Sequence, residues 1–190
     1  MKKYVAYGIG AALVDTEIKV QDIELSQMNV EKGMMTLVDA DRQAELLGHL
    51  EGHLVKASHA SGGSAGNSMI AAAQFGGPTF MSCKVANDSD GDIYIADMEA
   101  AGVDHCLTGE REEGTTGKCL VLISPDAERS MNTNLSISET LSEEQLVPGA
   151  ITQSEYLYIE GYLVTSPTGR AAAIKAKSIA EEAGVKTSIS

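Results

Sequence analysis

Apolar residues fill Tyr4–Ile9 almost without a break, a pattern that fits a strand covered on both faces. Farther on, Leu46, Leu47, Leu50 and Leu54 recur at three- and four-residue spacing, which predicts a helix over residues 39–54 with one core face. An Ala-rich helix is predicted over 64–75, stopped by Gly76-Gly77-Pro78. A short strand over 79–85 and a helix over 89–101, ended by Gly102, follow. Residues 108–134 break this rhythm. A strand over 118–124, a turn at Pro125-Asp126-Ala127-Glu128 and a second strand over 129–132 predict a hairpin outside the alternation. The alternation resumes with a strand over 156–159 and a long helix with Ser166 as N-cap and Pro167 at its first position. Gly184 closes that helix and 185–189 is a further strand. Strands alternating with helices of this length imply a mainly parallel α/β sheet covered on both faces.

Charge narrows the function classes. With 14 Lys+Arg against 27 Asp+Glu, the 190-residue chain carries a formal charge of −13, which argues against a nucleic-acid partner held through phosphates. The absence of Trp, with six Tyr and two Phe, leaves little for base stacking. No apolar run approaches the ~20 residues that span a bilayer, and the longest, 5–14, is interrupted by Gly8 and Gly10 and closed by Asp15. Lys2-Lys3 before that run is like the start of a signal peptide. No small-x-small cleavage site follows, however, and 16–20 continues as a strand, so a cytoplasmic protein without a membrane partner is expected. Cys83, Cys106 and Cys119 share no CxxC spacing and fit small core residues in a reducing compartment.

Four short patterns could carry chemistry. Gly8-Ile9-Gly10 starts like a dinucleotide fingerprint, but Leu13 stands at the third glycine position and a strand follows instead of a helix. The carboxylate of Asp15, just past an apolar strand, could accept hydrogen bonds from ligand hydroxyls or could simply end the strand. His49 and His53 have i, i+4 ligand spacing for zinc, with no third ligand apparent and a solvated helix face as the plainer reading. Gly62-Gly63-Ser64-Ala65-Gly66 matches a G-x-S-x-G nucleophile elbow, although the one histidine after Ser64 is His105, directly following Asp104. The same glycines at a strand-to-helix turn would bare backbone N–H groups to a small polar ligand, with Asn67 in the first helical turn able to donate and accept.

Taken in order, Gly8-x-Gly10 with Asp15, Gly62-Gly63-x-x-x-Asn67, Ala73-Gln74-Phe75-Gly76, Val85-Ala86-Asn87-Asp88-x-x-Gly91, Ala101-Gly102-Val103, Thr116-Gly117 and Arg129-Ser130 resemble the N-terminal part of the ribokinase-like (phosphofructokinase-B type) carbohydrate and nucleoside kinases. Tyr158-Ile159-Glu160-Gly161-Tyr162 and Asn134-Leu135 resemble the adenosine kinase branch most. The resemblance implies a three-layer Rossmann-like α/β domain formed by 1–15, 39–107 and 135–190, with the C-terminal part of the fold missing. It assigns 16–38 and 108–134 to a small β-sheet lid. It further implies transfer of the ATP γ-phosphate, with Mg2+, to a hydroxymethyl group of a sugar or nucleoside. Asp15 resembles the carboxylate that holds two acceptor hydroxyls, Gly62, Gly63 and Asn67 the acceptor-binding turn, and Arg129 a lid arginine that closes toward the phosphates. A homodimer through the lid is the expected assembly.

The sequence departs from that pattern in two ways. Ala11 stands where adenosine kinases usually have Asn, and Met35 near their base-contacting Gln, which weakens adenosine itself as the acceptor. The family's catalytic Asp, in a G-A-G-D stretch, and its N-x-x-E magnesium motif are not found before Ser190. The expectation is therefore an acceptor-binding and lid part that is inactive alone. A non-catalytic module that kept the acceptor pocket, and a serine hydrolase using Ser64, are the rival readings.

Overall fold

The computed structural model describes residues 2–52 and 58–190. Its first sheet is wholly parallel, with β1 (Tyr4–Ile9) at the centre, β5 (Thr79–Ser82) and β6 (Asp104–His105) on one side, and β9 (Ser154–Ile159) and β10 (Lys186–Ile189) on the other. Alternation along β1 explains the unbroken apolar run. Tyr7 and Ile9 pack toward α5 (Pro148–Thr152) and α6 (Pro167–Glu182), while Ala6 and Gly8 face α3 (Ser64–Gln74) and α4 (Ser89–Ala100). A side chain at Gly8 would begin 2.8 Å from Met69 Cγ, so the glycine lets α3 lie close to the sheet. Helix α6 forms where its start signals predict: Ser166 Oγ accepts from Gly169 N–H at 3.0 Å, Pro167 opens the first turn, and Ala172, Ala176 and Ala180 seal the sheet at four-residue spacing.

The second sheet is mixed, in the order β3 (Met35–Leu37), β8 (Arg129–Asn134), β7 (Gly117–Ile123), β2 (Leu13–Lys19) and β4 (Ser58–Gly62). The predicted hairpin is the antiparallel β7–β8 pair. One face of this sheet presents Ile18, Leu120 and Leu122 to Leu25, Met28, Leu46 and Leu50 from α1 (Asp22–Gln27), α2 (Ala40–His49) and their flanks. Helix α2 and strand β4 thus pack with the second sheet, although the sequence reading kept 39–62 with the α/β part. The reason is visible in the leucines, whose core face is satisfied by β7 and not by the parallel sheet. Helix α2 starts at its N-cap Asp39, whose carboxylate accepts from Arg42 N–H at 2.8 Å, and gives way to its C-cap at Leu50; Leu54 and His53 lie outside the described residues. Helix α1, strand β3 and helix α5 carry too few residues to show a period and were not predicted.

Several glycines of the family-like motifs serve the junction between the sheets. Asp88 caps α4 through Gly91 N–H at 2.8 Å and also accepts from Thr116 N–H at 2.8 Å and Thr116 Oγ1 at 2.6 Å. The Asn87-Asp88-x-x-Gly91 and Thr116-Gly117 motifs therefore meet in space, tying α4 to the start of β7. A Cβ at Gly117 would sit 2.7 Å from Ala12 O and 2.9 Å from Leu135 O, where three backbone segments converge.

Candidate functional site

The candidate site lies where the second sheet faces the carboxyl ends of the parallel strands. Asp15 is central in β2, opposite Cys119 on one side and Ala60 on the other. Alternation puts it on the same face as Leu13, which packs with Cys119, Val121 and, from the turn after β9, Tyr162. Burial lifts the Asp15 carboxyl to about 6, Arg129 draws it back down and Glu17 adds to the rise. Among the described residues no donor is hydrogen-bonded to Asp15, so its lone pairs are available to a ligand.

The turn into α3 closes over that carboxylate. Gly62 pairs with Leu13, and a Cβ there would collide with the Asp15 carboxylate. Gly63, the N-cap of α3, has φ of +87°, and its Cβ would meet Ala11 O at 2.7 Å. Two adjacent glycines are thus required by close approach at the first and by left-handed backbone at the second. Asn67 is exposed one turn into α3, its backbone N–H bonded to Gly63 O at 2.9 Å. Gly62→Ala is expected to push Asp15 off this position while leaving the circular dichroism spectrum native, and to weaken at least tenfold the calorimetric binding of any hydroxyl-bearing ligand held by that carboxylate.

Glu160, which the sequence shows only as part of the Tyr158–Tyr162 motif and with no role of its own, is a structural centre of the site. It directly follows β9, is 1% exposed, and accepts from Ala11 N–H at 2.5 Å, Ser64 N–H at 2.5 Å and Ser64 Oγ at 3.0 Å. Its carboxyl is held above the ordinary range by burial, with those hydrogen bonds opposing the rise. One carboxylate thereby joins the β1–β2 junction, the α3 N-terminus and the end of β9. Gly10 makes room for it, since a Cβ there would overlap Glu160 Oε2. The available signal was a lone carboxylate, followed by Gly161, in the otherwise apolar segment 156–162.

Other candidates fall elsewhere. Ser64 Oγ donates to Glu160 and lies 3.3 Å from Ser190 Oγ, whereas His105 sits on edge strand β6, where Nδ1 accepts from Leu107 N–H at 3.2 Å and Nε2 is 3.7 Å from Glu99. Ser64 and His105, the histidine that follows it in this chain, are therefore not brought together, since His105 lies at the sheet edge opposite β9 and β10. Arg129, half exposed, pairs with Glu17 at 2.9 Å, so it enters the field of Asp15 but not the α3 turn. Met35 lies on β3 opposite Met131, on the face that carries Glu17 and Val121, and Ala11 is buried with its N–H on Glu160. The three cysteines are free, two of them buried. Among the described residues no group of three or more His, Cys, Asp and Glu could hold a metal ion, and no helix is long and apolar enough to cross a membrane.

This arrangement has close counterparts. The chain overlays the adenosine kinase of Sinorhizobium meliloti with a TM-score of 0.90 at 36% identity, covering 98% of this chain and 56% of that one. It overlays a probable sugar kinase from Rhizobium etli CFN 42 with a TM-score of 0.92 at 32% identity, covering 100% of this chain and 56% of the other. In sequence it is 27% identical to mouse ribokinase over 126 residues, 66% of this chain and 38% of that enzyme. The chain therefore spans about half or less of the length of these relatives. Residues 32–190 match the pfkB carbohydrate kinase family profile, and the ribokinase-like α/β fold read from the motifs is the fold observed. This chain belongs to the pfkB family of carbohydrate kinases.

Proposed function

We propose that the full-length protein transfers a phosphoryl group from ATP to a hydroxymethyl group of a sugar or nucleoside, and that residues 2–190 supply the acceptor pocket and its lid. The single observation that carries this reading is the Asp15 carboxylate, part-buried, without a hydrogen-bonded donor among the described residues, and packed against Gly62 at the turn into α3. Two lone-pair-rich oxygens at such a position suit adjacent hydroxyls, with Gly63 and Asn67 offering main-chain and amide groups alongside. The second sheet with α1 and α2 is the proposed lid, Arg129 the proposed contact to the transferred phosphate, and self-association through the lid face the proposed assembly.

Membership of a kinase family implies use of ATP, usually with Mg2+. The described residues do not themselves fit that pair. The N-terminus of α3, where a phosphate could sit, is already closed by Glu160, and the acidic side chains form no metal-binding cluster among the described residues. What this chain's residues do is hold, orient and enclose the acceptor: Asp15 fixes the hydroxyls, Glu160 fixes the turn, and Tyr162 and the β7–β8 face exclude water.

Protonation gives a direct test. Only ionised Asp15 accepts two hydroxyl donors, so kcat/KM for the acceptor in the full-length enzyme is expected to rise through pH of about 6 and then level off. An acceptor-dependent profile that is flat from pH 5 to 8, unchanged by Asp15→Asn, would remove Asp15 from the pocket.

A further inference from the structure

The second sheet carries a cavity of about 600 Å³ on its other side, lined by Asn29, Glu31, Thr36, Val38, Arg42 and Asn132 among others. Asn132 lies in β8 between Met131 and Thr133, which face Asp15's side, so alternation turns it to the opposite face, beside Thr36 of β3 and Leu120 of β7. The two sites are therefore separated by the sheet itself. Asn132 is 4% exposed, yet its Nδ2 has no partner among the described residues. A buried amide donor left without an acceptor is a cost to the folded chain, so an acceptor brought by a ligand gains what the fold forgoes.

The lining also selects the ligand. Arg42 is committed, donating to Met28 O and pairing with Glu45 at 2.7 Å, so it offers little to a free anion. Glu31 on the same wall, within a chain of formal charge −13, disfavours anions further and accepts from hydroxyls. Thr36 can donate and accept, while Val38 presents apolar surface to C–H groups. We propose that this cavity is a second small-molecule site, on the face of the lid sheet away from Asp15, for a neutral polyhydroxylated ligand such as a sugar or cyclic polyol.

The test uses the full chain carrying Asp15→Ala, which silences the acceptor pocket, labelled with 15N. D-ribose, D-glucose and myo-inositol are titrated while the Asn132 side-chain NH2 signals are followed. The expected result is a saturable shift with at least one polyol, half-complete in the millimolar range, and its loss in Val38→Phe, which fills part of the cavity while keeping the Asn132 amide in the chain. Asn132→Leu provides a second check, abolishing saturable shifts of the Thr36 and Arg42 amides if it folds; Val38→Phe decides the question if it does not. Absence of saturation with all three polyols, an undiminished response in Val38→Phe, or an Asn132 NH2 that contacts only a long-lived water would each overturn the proposal.

Discussion

Asp15→Ala in the full-length enzyme is expected to lower kcat/KM for the acceptor by about one to four decades. The magnitude follows from one or two charge-assisted hydrogen bonds at roughly 1.5–3 kcal/mol each, lost where reaction geometry depends on them. Stability should move the other way. Burial raises the folded-state pKa of Asp15 to about 6, above its unfolded value near 4. The folded state therefore binds the extra proton between those values, and stability falls as pH rises through that window. Above pH 6 the ionised, partly buried carboxylate is a net cost to folding, so Asp15→Asn should melt no lower than the parent at pH 8 while losing acceptor use. A simultaneous fall in melting temperature and activity would mark Asp15 as a structural group.

Glu160→Ala should show the opposite balance. Removing the carboxylate orphans the backbone N–H donors of Ala11 and Ser64, at roughly 1–3 kcal/mol apiece, partly offset by no longer burying a charge, while the exposed Ser64 hydroxyl can turn to solvent. A net loss of about 2–5 kcal/mol is a large part of a typical 5–15 kcal/mol, and corresponds to a drop in melting temperature of roughly 5–20 °C at this chain length. Glu160→Gln keeps one accepting oxygen but turns an NH2 toward a donor, so it should fall between the two. Calorimetry on the three proteins orders them. A Glu160→Ala protein that melts with the parent would show that the junction is held by packing alone.

The elements that the sequence made legible are those with a long period or a strong stop. Helix α6 has Ser166, Pro167 and three alanines spaced by four, and β7–β8 has a polar turn between two strands. Asp15, Gly62, Gly63 and Asn67 are legible as motif residues, and the structure sets Gly62 against the Asp15 carboxylate. What escaped were features that exist only in three dimensions. Helix α2 shows a leucine face, but nothing local says which sheet will cover it. Glu160 shows one carboxylate in an apolar strand, and its partners lie 149 and 96 residues away along the chain. Local spacing around Ser64 fits a nucleophile elbow, and nothing local shows that a buried carboxylate 96 residues away takes both its N–H and its hydroxyl.

The central claim is that Asp15 and the Gly62-Gly63 turn hold the hydroxyls of a phosphoryl acceptor. The most direct measurement is phosphoryl transfer by the full-length protein from radiolabelled ATP to a panel of sugars and nucleosides, with parent and Asp15→Ala proteins run side by side. The account predicts label on a hydroxymethyl oxygen of at least one acceptor with the parent, and a loss of at least tenfold with the variant at equal protein stability. Equal transfer by both proteins, or no transfer to any member of the panel, would contradict it.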